Sequence, residues 1–273
     1  MKFENASVFE MGLTFSLLMF LLAFPFNLSA QSSVQQERLT FVRLTGEQYR
    51  NSIRDIFGES IEVRGDAVSA GVREAGLTAL GDRRLTLSSS EVESFEVLAL
   101  DIASQVLEPS RRTTLIPCEP DNQNSVDNEC ASEFISSVGM HLFRRPLTRD
   151  EIEGFKSMAG AATNSLGSFY VGLQAALVGM MVSPDFLFRT ERSSPNPEAP
   201  GLRQLDAWSI ASRLSFFLWN TTPSVSLLEA AESGELLFEE GLNKQVDRMM
   251  SSPRVEDGLR AFFSDMLAFD RFN

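Results

Sequence analysis

The chain has 273 residues, of which 43% are hydrophobic and 22% are charged, a balance that excludes a globally disordered protein and allows one or two packed units. The formal net charge of −13 excludes a nucleic-acid binder that depends on a basic surface. The two cysteines and the single histidine exclude a zinc site built from Cys and His alone, and no C-x-x-C-H motif is present for covalent attachment of a c-type haem.

The first residues, 1–30, have the pattern of a signal peptide. Met11–Phe26 is an uncharged, largely apolar run, shorter than the roughly 18–20 apolar residues that a membrane-spanning helix needs. Small and polar residues follow, so we place cleavage near Ala30 and the start of the mature chain near Gln31. The alternative is an uncleaved N-terminal anchor, which is the only membrane contact that we expect. Both interpretations predict a periplasmic or extracellular protein.

The next segments are predicted to be helices from their capping residues. Thr45–Gln48 has a capping-box pattern, and Ser90–Glu93 has another at the start of a second helix. We interpret residues 59–87, which lie mostly between these helices, as loop. A third helix with apolar residues at helical spacing is expected from near Asn128 to the corner at Arg144-Arg145-Pro146.

The middle of the chain continues with helices. Thr148–Glu151 is a third capping-box pattern, so the next helix follows after a very short corner. Residues 165–182 are apolar on nearly all sides and contain three glycines, which predicts a buried central helix. Ser193–Gly201 is rich in serine and proline and is interpreted as a linker.

The last part of the chain is also predicted to be helical. Asp206 is expected to cap the helix that follows the linker, and Thr222 to cap a helix that begins with Pro223. Two further helices are expected at about 239–251 and 253–268. No segment alternates strongly enough between apolar and polar residues to predict a sheet. The expected fold class is therefore all-α, a multi-helix, bundle-like array after the signal peptide.

The helices group into three expected modules, which cover residues 39–109, 115–192 and 202–273. The second module contains the Cys118/Cys130 loop. In the third module, no element follows the apolar face of the last helix, so we expect this module to be truncated at its C-terminus.

Cys118 and Cys130 are the only cysteines, and the eleven residues between them are polar and turn-prone. In an oxidising compartment we expect one disulfide to close this loop, worth about 3 kcal/mol in the loop-entropy model. Two thiols are the alternative if the chain is not exported. A metal site from both cysteines and His141 lacks an obvious fourth ligand.

Four stretches then support a resemblance. They are Leu39–Gly58 (LTFVRLTGEQYRNSIRDIFG), Cys118–Thr148 with its closing F-R-R-P-L-T, Leu173–Glu191 (LQAALVGMMVSPDFLFRTE) and Leu205–Trp219 (LDAWSIASRLSFFLW). In this order they resemble a family of exported bacterial proteins best known from planctomycetes, built from domains of unknown function that often accompany cytochrome c modules. The resemblance implies a cytochrome c module, or another exported protein, as partner.

The chain departs from the family pattern in two ways. The segment between Gly58 and Ser90 looks shortened, and the later C-terminal domains and any haem module are missing. We therefore expect no cofactor in this chain, with haem only in a separate or missing module.

Seven charged residues are candidates for ligand contacts or for structural ion pairs. They are Arg54, Asp55, Arg144, Arg145, Asp185, Asp206 and Arg213. The structural interpretation is favoured for each. Arg54 and Asp55 are expected to pair with another helix, whereas Arg144 and Arg145 are expected to cap the end of their own helix and dock the corner.

Arg213 borders an apolar face formed by Leu214, Phe217 and Leu218. Its stem is expected to be partly buried, and a buried guanidinium needs a carboxylate partner, for which Asp185 and Asp206 are the candidates.

No nucleophile motif, phosphate-binding loop, dinucleotide fingerprint or zinc-protease motif occurs in the sequence. We therefore assign no catalytic, cofactor-binding or metal-binding residue, and whether the chain is an enzyme stays open. The favoured hypothesis is a non-catalytic module of a cytochrome-associated extracytoplasmic assembly. There are two alternatives. The chain could be one part of an extracytoplasmic enzyme, for example an enzyme acting on polysaccharide, whose active site is completed by missing C-terminal domains. It could instead be a structural cell-surface protein.

Overall fold

The structure, a computed structural model, describes residues 38–65, 77 and 87–269. Within these residues the chain forms eleven α-helices and one small sheet of three strands. The predicted all-α class is thus confirmed as a predominantly helical array, although the sheet was not expected. The predicted signal peptide at 1–30 and most of the expected 59–87 loop lie outside the described residues.

The N-terminal part comprises strand β1 (Arg38–Arg43) and helices α1 (Gly46–Phe57), α2 (Ser89–Val106) and α3 (Arg112–Leu115). The capping box predicted for α1 is present, because Thr45 and Gln48 bond each other's backbone N–H groups.

The capping box predicted at Ser90–Glu93 is wrong by two residues. Ser88 caps α2, and Glu91 completes the box. In this position Glu91 also accepts a hydrogen bond of 2.9 Å from the buried guanidinium of Arg43 on β1, so a tertiary contact supports the start of α2 after Ser88.

The central part comprises α4 (Asn128–Phe143), α5 (Arg149–Leu166), α6 (Phe169–Met181) and the single turn α7 (Pro184–Leu187). As predicted, α6 is the buried central helix. It approaches α5 very closely at Gly172, where an added Cβ would lie 2.1 Å from Thr163 Oγ1 and 2.5 Å from the Ala159 carbonyl. Only glycine fits this crossing.

The predicted disulfide is confirmed. Cys118 and Cys130 are bonded, with their Cα atoms 5.5 Å apart. Cys130 lies in the first turn of α4 and is buried in the main core, and Cys118 is partly buried against it. The loop between them also contacts α6, because the Phe169 N–H donates to the Gln123 carbonyl at 2.8 Å.

A small antiparallel sheet corrects the expectation of a sheet-free fold. β1 pairs with β2 (Phe188–Pro195), and β2 pairs in turn with β3 (Arg203–Leu205). The segment interpreted as a linker, Ser193–Gly201, instead ends β2 and forms most of the hairpin connection to β3. The strands escaped detection because burial does not follow an apolar–polar alternation, with Phe41 about half exposed while the charged Arg43 and Glu191 are buried.

The C-terminal part comprises α8 (Ala207–Leu218), α9 (Val225–Glu232), α10 (Glu239–Met250) and α11 (Val255–Leu267). Asp206 caps α8 as predicted, with Oδ1 accepting from the Ser209 N–H at 2.7 Å. The predicted Thr222 cap is wrong, since α9 starts at Val225 after Ser224. The Thr222 hydroxyl instead donates to the His141 carbonyl, a partner that lies far away in the sequence.

The described residues form two hydrophobic clusters. The larger combines residues from α1, α2, α4 and α6, and it also takes in Phe216 of α8. The smaller lies within the C-terminal part, around Ala211, Trp219 and Leu227. Phe217, expected on the apolar face of α8, is 71% exposed, and its neighbour Phe216 is buried instead. The three-module division stays a prediction.

No helix among the described residues is both long enough and apolar enough to cross a membrane.

Candidate functional site

Arg144 and Arg145 bind groups of α5, α7 and β2 at the α4–α5 corner, and Arg213 of α8 binds Glu191 of β2. We call these three arginines, with the carboxylates of Glu151, Asp185 and Glu191, the arginine cluster. Each arginine has a different role.

Arg144 is the buried member of the cluster. It ends α4 in the left-handed conformation, with a φ of 59°, and only 3% of it is exposed. Its guanidinium donates to the carbonyls of Asp185, Phe186 and Phe188, the last at 2.7 Å. These carbonyls belong to α7 and β2, so the Arg144 side chain joins the corner to the segment that follows α6. The expectation that its guanidinium would bond the last carbonyls of α4 is wrong.

The surroundings of Arg144 oppose its charge. Burial lowers the pKa of Arg144, and the neighbouring positive charge of Arg189 lowers it further. The carboxylate of Asp185 acts in the opposite direction. Three backbone carbonyls therefore provide much of the solvation that this guanidinium loses on burial.

Arg145 ties the start of α5 to α7. It binds both carboxylate oxygens of Glu151, at 2.9 and 2.8 Å, and Oδ1 of Asp185 at 2.9 Å. The hydrogen bond from Arg145 lowers the pKa of Glu151 from 4.5 to about 2. Glu151 also closes the capping box of α5 with Thr148, so one carboxylate serves both the helix start and the corner.

Arg213 of α8 pairs with Glu191 of β2. Nε of Arg213 lies 3.1 Å from Oε1 of Glu191, and Nη2 binds the second oxygen. The sequence-based choice of Asp185 or Asp206 as partner is wrong, because Asp185 binds Arg145 and Asp206 caps α8. The burial was also assigned to the wrong member, since the Arg213 side chain is 51% exposed and that of Glu191 only 7%.

Arg54 and Asp55 make their contacts elsewhere. Arg54 is exposed and donates to Asn51 within its own helix, at 3.1 Å. Asp55 accepts from the Thr221 hydroxyl at 2.7 Å and from Arg254, which directly precedes α11. Asp55 thereby links α1 to the C-terminal part of the chain. The sequence offered no signal for these partners, which lie 166 and 199 positions away.

A narrow cleft opens beside the arginine cluster. Its lining includes Arg144, Arg145, Asp185, Asp206 and Ser212, and its volume of about 20 Å³ is enough for one water molecule. The Ser212 hydroxyl is buried there, and no group in the described part of the chain bonds it. The lining contains no histidine, so the cleft offers no imidazole base to activate this hydroxyl.

His141 lies near the end of α4 and is partly buried. Burial lowers the pKa of His141, which favours the neutral imidazole. The described residues contain no group of three or more His, Cys, Asp or Glu side chains arranged to hold a metal ion, and no cofactor is indicated. The expectation that this chain binds no haem stays a prediction.

Two family models match parts of this chain. Residues 205–273 match PSD4, described as protein of unknown function (DUF1592), and residues 130–191 match PSD5, described as protein of unknown function (DUF1595). The second match covers the disulfide's Cys130 and the α4–α5 corner through to Glu191, and the first covers α8 to the end of the chain. Searches of curated proteins and of solved structures found no match.

Proposed function

We propose that this chain is a non-catalytic, exported helical module that docks with a cytochrome c module in an extracytoplasmic assembly. The observation that carries the non-catalytic role is the use of the arginine cluster. All three of its guanidiniums bind protein groups that belong to other elements of the fold. Side chains engaged in this way hold elements of the fold together.

The disulfide supports export. A disulfide that joins the buried Cys130 to the partly buried Cys118 is typical of proteins that fold in an oxidising compartment. The uncharged Met11–Phe26 segment has the character of a signal-peptide core. N-terminal sequencing of the exported protein should begin near Gln31, and recovery of full-length protein from the cytosol would contradict the proposal.

Charge supports a basic partner. A net charge of −13 steers a positively charged protein surface toward this chain and repels acidic ones. The four stretches that resemble the cytochrome-associated family suggest a cytochrome c module as this partner, and we expect its docking surface to be basic. We expect an electrostatically assisted complex that weakens as salt is raised.

The test is affinity purification of the tagged full-length chain from the extracytoplasmic fraction of the producing cell. At about 50 mM NaCl, a covalent haem-bearing polypeptide should co-purify, visible by in-gel haem staining, and most of it should be lost at about 500 mM NaCl. A tagged acidic exported protein of unrelated fold is the control for charge alone. Failure to recover a haem-bearing polypeptide, or equal recovery with the control, would refute the cytochrome partnership.

A further inference from the structure

The narrow cleft beside the arginine cluster is lined by hydrogen-bonding side chains that the fold does not use. Thr190 of β2 and Trp208 and Ser212 of α8 line it, and none of these three side chains bonds another group in the described part of the chain. Ser212 is the most informative of them, because only 4% of it is exposed. A buried hydroxyl without a partner destabilises a fold, and a ligand in the cleft would supply that partner.

The cleft also has an excess of positive charge. Three arginines and two aspartates line it, although the whole chain carries −13. Both carboxylates are engaged, since Asp185 accepts from Arg145 and Asp206 caps α8. Burial lowers the pKa of Arg144, and the charges of Arg189 and Arg145 lower it as well, against the opposite effect of Asp185. An added negative charge would therefore be stabilised here.

Helix α8 adds to this preference. Its N-cap and residues of its first two turns line the cleft, namely Asp206, Trp208, Ser209 and Ser212. The N-terminal end of a helix carries a partial positive charge, which acts in the same direction as the guanidiniums.

We propose that this cleft binds a carboxylate group, with the Ser212 hydroxyl donating to one of its oxygens. A volume of about 20 Å³ holds one water molecule, and a carboxylate oxygen is of similar size, whereas a chloride ion is larger. The second oxygen remains at the open side of the cleft. A water molecule could also bond Ser212, but it would leave the excess positive charge in place. The site does not depend on the proposed function, because its test needs no protein partner.

The first test is thermal unfolding of the purified full chain at constant ionic strength, with sodium formate in place of sodium chloride. About 200 mM formate should raise the Tm of the wild type by about 3 °C or more, because the ligand binds only the folded state. Ser212→Ala should lose most of this rise. In chloride, its Tm should equal or exceed that of the wild type, because an unpartnered hydroxyl is removed. Ser104→Ala, at an exposed position on α2, is the control and should respond to formate as the wild type does.

The second test measures binding directly. The NMR signal of isotope-labelled formate should broaden with the wild type and stay sharp with Ser212→Ala, whose fold is checked by circular dichroism. Displacement of formate by acetylglycine, but not by acetylglycine amide, would assign the carboxylate to a peptide C-terminus. If neither displaces it, the ligand is a free acid of the size of formate, and both results support a carboxylate site. Equal Tm values in formate and chloride, or an equal formate response of Ser212→Ala and the wild type, would mean that water alone occupies the cleft and would overturn the proposal.

Discussion

Replacing Arg213 tests whether the arginine cluster serves the fold. Arg213→Met keeps the apolar stem beside α8 but removes the guanidinium that binds both oxygens of Glu191. Because the Glu191 side chain is only 7% exposed, the substitution leaves a buried carboxylate without the ion pair. The expected result is a lower free energy of unfolding with an unchanged fold.

The size of the loss follows from the burial of the two partners. Breaking a fully buried ion pair by removing one member costs about 3–5 kcal/mol. Arg213 is half exposed, so water screens part of the interaction and can hydrate the carboxylate after substitution. We expect Arg213→Met to reduce the free energy of unfolding by about 2 kcal/mol, which lowers the Tm of a domain of this size by about 4–8 °C.

Thermal unfolding measured by circular dichroism, in parallel with partner recovery at 20 °C, separates the two roles. Arg149→Ala is the control, because Arg149 is exposed and should change Tm by less than about 2 °C. Adding Glu191→Gln to Arg213→Met should restore part of the stability, since the stranded charge is gone. An unchanged Tm combined with lost partner binding would refute the structural role and make Arg213 a contact residue.

Three further perturbations test other parts of the structure. The pKa of Glu151 is lower in the folded protein than in the unfolded chain, so ionised Glu151 stabilises the fold above pH 4.5, and this stabilisation is lost as the pH falls toward 2. The Tm difference between wild type and Glu151→Gln should therefore shrink between pH 4.5 and pH 2. Gly172→Ala should destabilise the protein by about 1–3 kcal/mol because its Cβ overlaps α5, whereas Gly154→Ala, with open space at its Cβ, should stabilise it by up to about 1 kcal/mol, both measured by urea unfolding. Replacing Cys118 and Cys130 by serine should cost about 3 kcal/mol in the same assay, and a loss below 1 kcal/mol would contradict the predicted role of the loop closure.

The features that the sequence predicted correctly are local ones. The Thr45 and Thr148 capping boxes and the Asp206 cap need only residues two or three positions apart, so their patterns are visible in the chain itself. The nearly continuous apolar character of α6 predicted its burial without knowledge of its neighbours.

Errors arose where a distant partner decided between local alternatives. Ser88 and Ser90 each precede a glutamate by three residues, so the sequence allows either register for the start of α2. In the folded chain, Glu91 of the Ser88 box is also bound by Arg43, 48 positions away. Thr222 likewise has the residue type of a helix cap, but it bonds a carbonyl of α4.

The candidate site shows the same division. Its arginines could be chosen from the sequence, because a guanidinium beside an apolar stretch or at a helix corner needs an acceptor. Which acceptor it finds depends on β2, a strand whose buried residue is the charged Glu191 and whose pattern therefore resembles a loop. Local sequence thus determined the helices and the disulfide loop. Only tertiary packing decided the sheet and the ion-pair partners, because each of these depends on groups brought together from distant parts of the chain.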